Sequence, residues 1–586
     1  MTQGRTPGTP DLFNASRDYC DRTLPKNSIY RLLYEHGNEF FPDEFFADLF
    51  SRQGRHSVPP RIVATVMVLQ RLDGLSDREA VDRFMFDTRW KYACGGLRPE
   101  YPAFVHTVLV YMRARLRASD APTRIFDVVL NVARSAGTVG VRRVLDSTPL
   151  YDAVATQDTV TLIRSAIRGV LEVCGSAKAR QVRAVLKRDD AYDTPGKPAC
   201  DWRDAAAREH LIDALAQDGY SVVALFDGEK LADKVSDAVR LLATVLGQDL
   251  DEDDEGGFRI ARRVARDRVI STVDPEARHG HKTASRSFDG YKGHIAVDPD
   301  SEIITATAVT AGNVGDGAVV KDLIQDILVG DSSEEQRPME SDKTLEVVEK
   351  DQSSKRVEGA SLWGRFARLV AALGAMTGFR QKTSGELDDS DAPSNTSPVR
   401  AEVYGDAAYG GAAVLELLDQ AGIAVFAKVQ QPVSVGGRFS LASFDIDLVA
   451  QTVTCPAEIT LPLKERADGS SYAGFGRNCR ECPLREQCTT AKAGRSINLH
   501  PKFETLRRHR EGQLAPQWMS DYRATRPKVE RKLAHLVRRK HGGRYARVRG
   551  ATRVGHDFDL LAAASNLARL AQLGLTRIGG QWAVAH

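Results

Sequence analysis

Between residues 403 and 429 the apolar pattern changes period twice, and this narrows the folds open to the chain more than any other feature. Val403 and Tyr404 form a short β run that ends at Gly405 and Asp406. Val414, Leu415, Leu417 and Leu418 then recur at helical spacing as far as Gly422, and residues 423–429 return to a β pattern. A strand, a helix and a second strand in so short a stretch require a crossover and a parallel pair, which predicts an α/β sheet. Upstream, Tyr291, Gly293, Ile295 and Val297 alternate on one face, Asp298 to Ser301 supply turn chemistry, and Ile303 resumes the β pattern, as expected of a hairpin. A third β run, Val139, Val141, Val144 and Leu145, is expected to stop at Asp146.

The N-terminal part reads differently. Residues 1–25 have no clear period and are expected to form a flexible arm, whereas residues 26–135 are helical. Ile62, Val63, Val66, Leu69 and Leu72 make an amphipathic stripe ending at Gly74, and Ser76 with Glu79 forms a capping box that opens the next helix. A helix, a glycine turn and a helix have helix-turn-helix geometry, which suits either DNA reading or an ordinary helical hairpin. Helical periodicity returns over about residues 155–285, and residues 331–398 are polar and acidic enough to be expected as a disordered insertion around one helix.

The formal charge of +3 averages over segments of opposite character. Residues 501–553 hold 16 Lys or Arg against 4 Asp or Glu, a density that suits a polyanion. No apolar run is long enough for a membrane span, and the first ten residues lack a signal-like apolar core, so a reducing cytoplasm is the expected compartment. Of eight cysteines, Cys455, Cys479, Cys482 and Cys488 follow a C-x23-C-x2-C-x5-C pattern that suits either a structural zinc site or unmetallated thiols. Cys20, Cys94, Cys174 and Cys200 are expected as packing residues.

Asp146 and Asp406 are thus expected at the carboxyl ends of two strands, the edge where α/β sheets bind ligands, although a helix N-cap also explains an aspartate there. Pro527 fits a first helical turn, and Val529, Leu533, Leu536 and Val537 make an apolar stripe with Glu530 at its border. Two Asp and one Glu offer hard oxygen ligands suited to a pair of Mg²⁺ ions and in-line phosphoryl transfer. Arg523, Arg526, Arg531, Lys532, Arg538 and Arg539, together with Lys292, are the expected DNA contacts. Asp316 is adequately explained as a helix N-cap.

Four runs in order resemble those of bacterial insertion-sequence transposases of the DDE type: Val144-Leu145-Asp146-Ser147-Thr148, Phe288-Asp289-Gly290-Tyr291-Lys292-Gly293-His294, Gly405-Asp406-Ala407-Ala408-Tyr409-Gly410, and Arg526-Pro527-Lys528-Val529-Glu530 followed by Arg549-Gly550. The resemblance implies an RNase H-like core with Asp146, Asp406 and Glu530 as catalytic ligands of two Mg²⁺, preceded by an all-α N-terminal region. Its expected order is a helical DNA-binding domain at 26–135, an interrupted core at 136–430, a cysteine-rich β insertion at 431–500 as a candidate zinc site, and a basic segment with closing helices at 501–586. Some relatives carry Y-x2-R-x3-E-x6-K around the glutamate. Here Arg526 and Glu530 fit, but Arg523 stands at the tyrosine position, with Tyr522 one residue away, and Val537 at the lysine position.

The resemblance further implies a homodimer acting on terminal inverted repeats and target DNA in the bacterial cytoplasm, beside the nucleoid. The alternatives are a zinc-containing DNA-binding repressor, an inactive transposase remnant, and a host nuclease on the same fold.

Overall fold

The structure is a computed structural model that describes residues 1–6, 15–152, 155–189, 192–252, 257–283, 285–328, 400–538 and 541–585. The acidic insertion expected at 331–398 lies outside the described residues. None of the described helices is long and apolar enough to cross a membrane.

Six strands build the central sheet: β1 (Arg142–Tyr151), β2 (Arg278–Thr283), β3 (Arg286–Val297), β4 (Ile304–Ala311), β5 (Glu402–Gly405) and β6 (Ala424–Ala427). β1 lies at the centre, antiparallel to β3 and parallel to β5, and β6 extends the parallel side. β2 and β4 both pair with β3, on successive stretches of its length. The expected hairpin and strand-helix-strand unit are both present, the latter through the Ala412–Gln420 helix. The result is a mixed α/β sheet with the order of an RNase H-like core.

The helical N-terminal region does not keep a core to itself. Leu33, Phe40, Ile62, Val66, Trp90 and Val129 pack in one cluster with Val144, Ile295 and Tyr404 of the sheet and with Phe558, Leu561 and Leu567 of the long Ala551–Gln572 helix. The expected capping box at Ser76 and Glu79 forms, and Gly74 ends the preceding helix at φ 67°. The segment expected as a loose arm is partly structured: Ala15–Thr23 is helical, Asp21 accepts a 2.5 Å bond from the Tyr92 hydroxyl, and Thr2 pairs with Arg55 and Ser57 through its backbone.

The opposite face of the sheet buries Leu145, Ala296 and Val403 against the Ala412–Gln420 helix. Residues 159–250 form four helices around a hydrophobic cluster of their own, led by Ile163, Ile167, Leu215 and Leu246. A fourth cluster, with Phe444, Val453, Phe475 and Ile497, holds the small cysteine-bearing sheets.

The Gly-Tyr-Lys-Gly run is explained by packing. A Cβ on Gly293 would meet the Phe558 ring at 2.8 Å, so the bare backbone lets the long helix close on β3. The Tyr291 hydroxyl donates to Asp274 at 2.7 Å, and the other Asp274 oxygen accepts the Gly550 N–H at the start of that helix. Gly293→Ala should therefore cost about 1–3 kcal/mol in urea unfolding, with much of the loss recovered when Phe558→Leu is added.

The Pro527–Leu536 helix packs Val529, Leu533 and Leu536 inward as the stripe predicts, and it also buries Lys532. Burial pushes the Lys532 ammonium down to about 8 from 10.5. The folded state thus gives up its proton before the unfolded chain does, so the lysine's cost is full below pH 8 and is relieved as pH rises toward 10.5. Lys532→Met should stabilise the fold by up to about 3 kcal/mol at about pH 7, a gap that denaturant titrations should find shrinking as the solution is made more alkaline.

Candidate active site

β1 does not stop at Asp146. It continues to Tyr151 because β3 pairs with it from Val144↔Val297 through Tyr151↔Gly290, a partnership that local sequence does not announce. The parallel pairing with β5 covers only Arg142 to Val144, and β5 itself ends one residue before Asp406. Both aspartates consequently lie just past the carboxyl end of the parallel ladder, although Asp146 lies within β1 rather than at the strand end expected for it. Asp406 is not a helix N-cap: its carboxylate accepts the Ala408 N–H at 2.9 Å and its carbonyl accepts the Tyr409 N–H, while Gly411 caps the following helix. A Cβ on Gly405 would lie 2.8 Å from that of Tyr409, so the glycine lets this turn fold back and bury the tyrosine.

The third element is a pair of helices, Pro516–Thr525 and Pro527–Leu536, joined through Arg526 with φ −56° and ψ −38°. Tyr522, Arg526 and Glu530 recur every four residues and so share one face. Arg526 is buried, and its guanidinium reaches all three expected carboxylates: 3.1 Å to Asp146, 4.0 Å to Asp406 and 3.6 Å to Glu530. Side-chain exposure rises along that series, at 14%, 47% and 63%, so the site is closed at Asp146 and open at Glu530.

Aromatic rings set the guanidinium's height above the sheet. Tyr404 stacks on Phe426 at 4.4 Å, Phe426 on Trp518 at 5.9 Å and Trp518 on Tyr522 at 5.1 Å, tying β5 and β6 to the first helix of the pair. Sequence reasoning missed this ladder, although the four-residue spacing of Tyr522, Arg526 and Glu530 was a signal for part of it. Tyr522 is buried on the site's side of the helix, whereas Arg523 is exposed.

Burial raises the Asp146 carboxyl above its ordinary value, opposed by Arg526 and the Ser147 N–H and reinforced by Asp406. Burial also draws the Arg526 guanidinium down, but the three carboxylates outweigh it and leave it raised. Tyr409, buried beside them, has its phenol held well above its usual value by burial and then by Asp316, Asp146 and Asp406, and its hydroxyl has no hydrogen-bond partner among the described residues.

On the other face of β1, Ser147 donates to Asp316 at 2.6 Å, and Lys292 donates to the same carboxylate at 2.9 Å and to the Val314 carbonyl. Asp316 opens the Asp316–Val319 turn of 3-10 helix, but the cap is Gly315, so the expected capping role gives way to an ion pair. His294 hydrogen-bonds Thr310, and burial pushes its imidazole down to about 4.

The expected DNA contacts are dispersed. Arg523 and Arg538 are exposed, Arg531 is exposed and pairs with Glu302, Lys532 is interior, Lys292 is held by Asp316, and Arg539 lies outside the described residues. Cys455, Cys479, Cys482 and Cys488 line one cavity, and Cys479 Sγ accepts the Arg495 backbone N–H at 3.4 Å. Among the described residues no group of three or more His, Cys, Asp or Glu stands in a ready cation-holding arrangement. At the carboxylates, a guanidinium occupies their common centre. The oxygen donor set suits a hard divalent ion, and the thiol set suits zinc.

Comparison with protein families gives three matches in chain order. A model described as Transposase domain (DUF772) matches residues 18–115, one described as Transposase DDE domain matches residues 261–332, and a second so described matches residues 454–571. They cover the N-terminal helices, the hairpin with Asp316, and the span from Cys455 through Glu530 into the last helix, while Asp146 and Asp406 lie outside them. No curated protein and no solved structure matches the chain. With the sheet order, the convergent carboxylates and these matches together, the chain belongs to the insertion-sequence DDE transposases.

Proposed function

We propose that this transposase cleaves DNA at terminal inverted repeats and joins the freed 3′-hydroxyl ends to target DNA, with Asp146, Asp406 and Glu530 as its catalytic carboxylates. The observation that carries the reading is their convergence on Arg526 from β1, the turn after β5 and the Pro527–Leu536 helix. These carboxylates would hold two Mg²⁺. The chemistry such ions supply is activation of the attacking oxygen and neutralisation of the leaving one.

The chain's own residues prepare that centre. Arg526 offsets the mutual repulsion of the carboxylates and opposes the burial that favours protonation of Asp146, whose anionic form is the one that binds a hard cation. Asp406, fixed by the Ala408 N–H, and Glu530, exposed at its helix face, leave the open side of the site to the scissile backbone. Arg523 and Arg538, exposed within the basic segment, are placed to meet phosphates, and two copies acting together would bring two element ends to one target. For the thiol cavity we propose a structural zinc, supported by the four cysteines that line it and a backbone N–H directed at Cys479.

Mg²⁺-dependent cutting of a labelled duplex carrying the flanking inverted repeat tests the reading. Asp146→Ala, Asp406→Ala and Glu530→Gln should each lower cleavage by roughly a thousandfold or more while leaving duplex binding within a few-fold. Cutting that persists in Glu530→Gln would remove that residue from the centre, and cleavage without joining would instead favour a nuclease. Metal analysis of the purified chain should give one zinc per chain, released by a thiol-blocking reagent and lowered in Cys482→Ser.

A further inference from the structure

A cavity of about 440 Å³ opens where the Pro60–Asp73 and Asp77–Phe86 helices, the Thr107–Ala118 helix and the start of the Ala551–Gln572 helix meet. Its wall is rich in cations, and its acids are already engaged. Asp77 accepts from Gln70 at 2.7 Å and pairs with Arg113 at 2.5 Å. Asp557 pairs with Arg71 at 3.1 Å. Asp559 accepts the Thr307 hydroxyl, and burial pushes its carboxyl up to about 7, so it brings only part of a charge.

Arg117 and Arg553 are left facing the cavity with no carboxylate partner among the described residues, while Arg547 donates to the Leu75 carbonyl and its charge acts on the Glu79 carboxylate. His556 lines the same wall, and its Nδ1 is buried without a hydrogen-bond partner among the described residues. Burial lowers the Arg117 guanidinium, and the charges of Arg553 and Arg113 lower it further. Cations gathered in a concavity without counter-charge raise the energy of the empty site, and an anion bound there relieves the strain. Guanidinium groups, with planar paired donors, match the oxygens of a phosphate.

We propose that this cavity seats a backbone phosphate of the DNA, gripped by Arg117 and Arg553 with Arg547 and His556 beside them. Two observations favour DNA over a free anion. Arg547 and Arg553 belong to the basic segment 501–553, whose charge density suits a polyanion. The opposite wall includes Ser76 and Asp77, at the turn of the helix pair with helix-turn-helix geometry, within the matched transposase domain. The seat would thus fasten DNA where the N-terminal helices meet the last helix of the core. This inference rests on the reading of the chain as a DNA-acting transposase.

The test is equilibrium binding of the full chain to a fluorescent inverted-repeat duplex across a salt series, for wild type, Arg117→Gln, Arg553→Gln and the double variant. The double variant should bind roughly tenfold or more weakly on specific and unrelated duplexes alike, and the slope of log affinity against log salt should fall by about one for each phosphate it no longer grips. Its melting temperature should not fall, because no ion-pair partner is removed. The charge-preserving pair Arg117→Lys and Arg553→Lys should recover part of the affinity, so a merely misfolded glutamine variant is recognised. Wild-type binding with unchanged affinity and slope in the double variant overturns the phosphate seat and leaves the transposase reading standing. A wild type that binds no duplex overturns both. Thermal stabilisation by inorganic phosphate that the double variant loses, with duplex binding unaltered, assigns the cavity to a free anion and overturns the DNA seat.

Discussion

The candidate active site depends on one guanidinium. Arg526 stands among three carboxylates from three separate elements, each within about 4 Å, and unit charges at that distance interact by about 4 kcal/mol at an effective dielectric constant near 20. The Asp406 charge acts against ionisation of Asp146, and the guanidinium offsets that repulsion. Burial sharpens the dependence, since Asp146 without Arg526 would be an uncompensated interior charge. The surrounding structure serves to place that group. The aromatic ladder fixes the first helix of the pair on β5 and β6, and Pro527, which has no N–H to give to the preceding turn, marks the junction at which Arg526 sits.

The carboxylates meet although 260 residues separate Asp146 from Asp406 and 124 separate Asp406 from Glu530. Loop-closure entropy grows only with the logarithm of length, so long excursions cost a core little once they return to the same points. What an excursion must not do is compete for the sheet's apolar faces. The four helices between β1 and β2 avoid this by burying Ile163, Leu215 and Leu246 in a cluster of their own. The cysteine-bearing sheets do the same around Phe444 and Val453.

Patterns with a local period are legible in the sequence: the hairpin, the strand-helix-strand unit, the capping box at Ser76, and Pro527 opening a helix with Glu530 at its border. Asp146 stands out there too, but as a strand end, because the residues that continue β1, Thr148 to Tyr151, are held by β3 more than a hundred residues away. Composition alone makes Lys532 a surface cation, yet its position three residues after Val529 turns it inward with the apolar stripe. The Tyr522 stack and the engagement of Lys292 with Asp316 depend on contacts between distant segments, and neither spacing nor charge density records those. Spacing groups the four cysteines, but only the fold shows that they share a cavity with the Arg495 N–H directed at one of them.

Consecutive strand residues point to opposite faces, and this gives the pair Asp146 and Ser147 its particular use. Asp146 is held from one face by Arg526 at 3.1 Å, while Ser147 is held from the other by Asp316 at 2.6 Å, itself fixed by Lys292. Neither ion pair is an economical source of stability, because each removes charged groups from water and a well-packed apolar pair would serve as well or better. What the two pairs together supply is position. A strand pinned on both faces at adjacent residues cannot slide in register or tilt without breaking one of them, and a phosphoryl-transfer centre of the kind proposed is sensitive to errors of about 1 Å in the placement of its ligands. The buried pair on the far face is therefore best understood as part of the apparatus that holds Asp146 still.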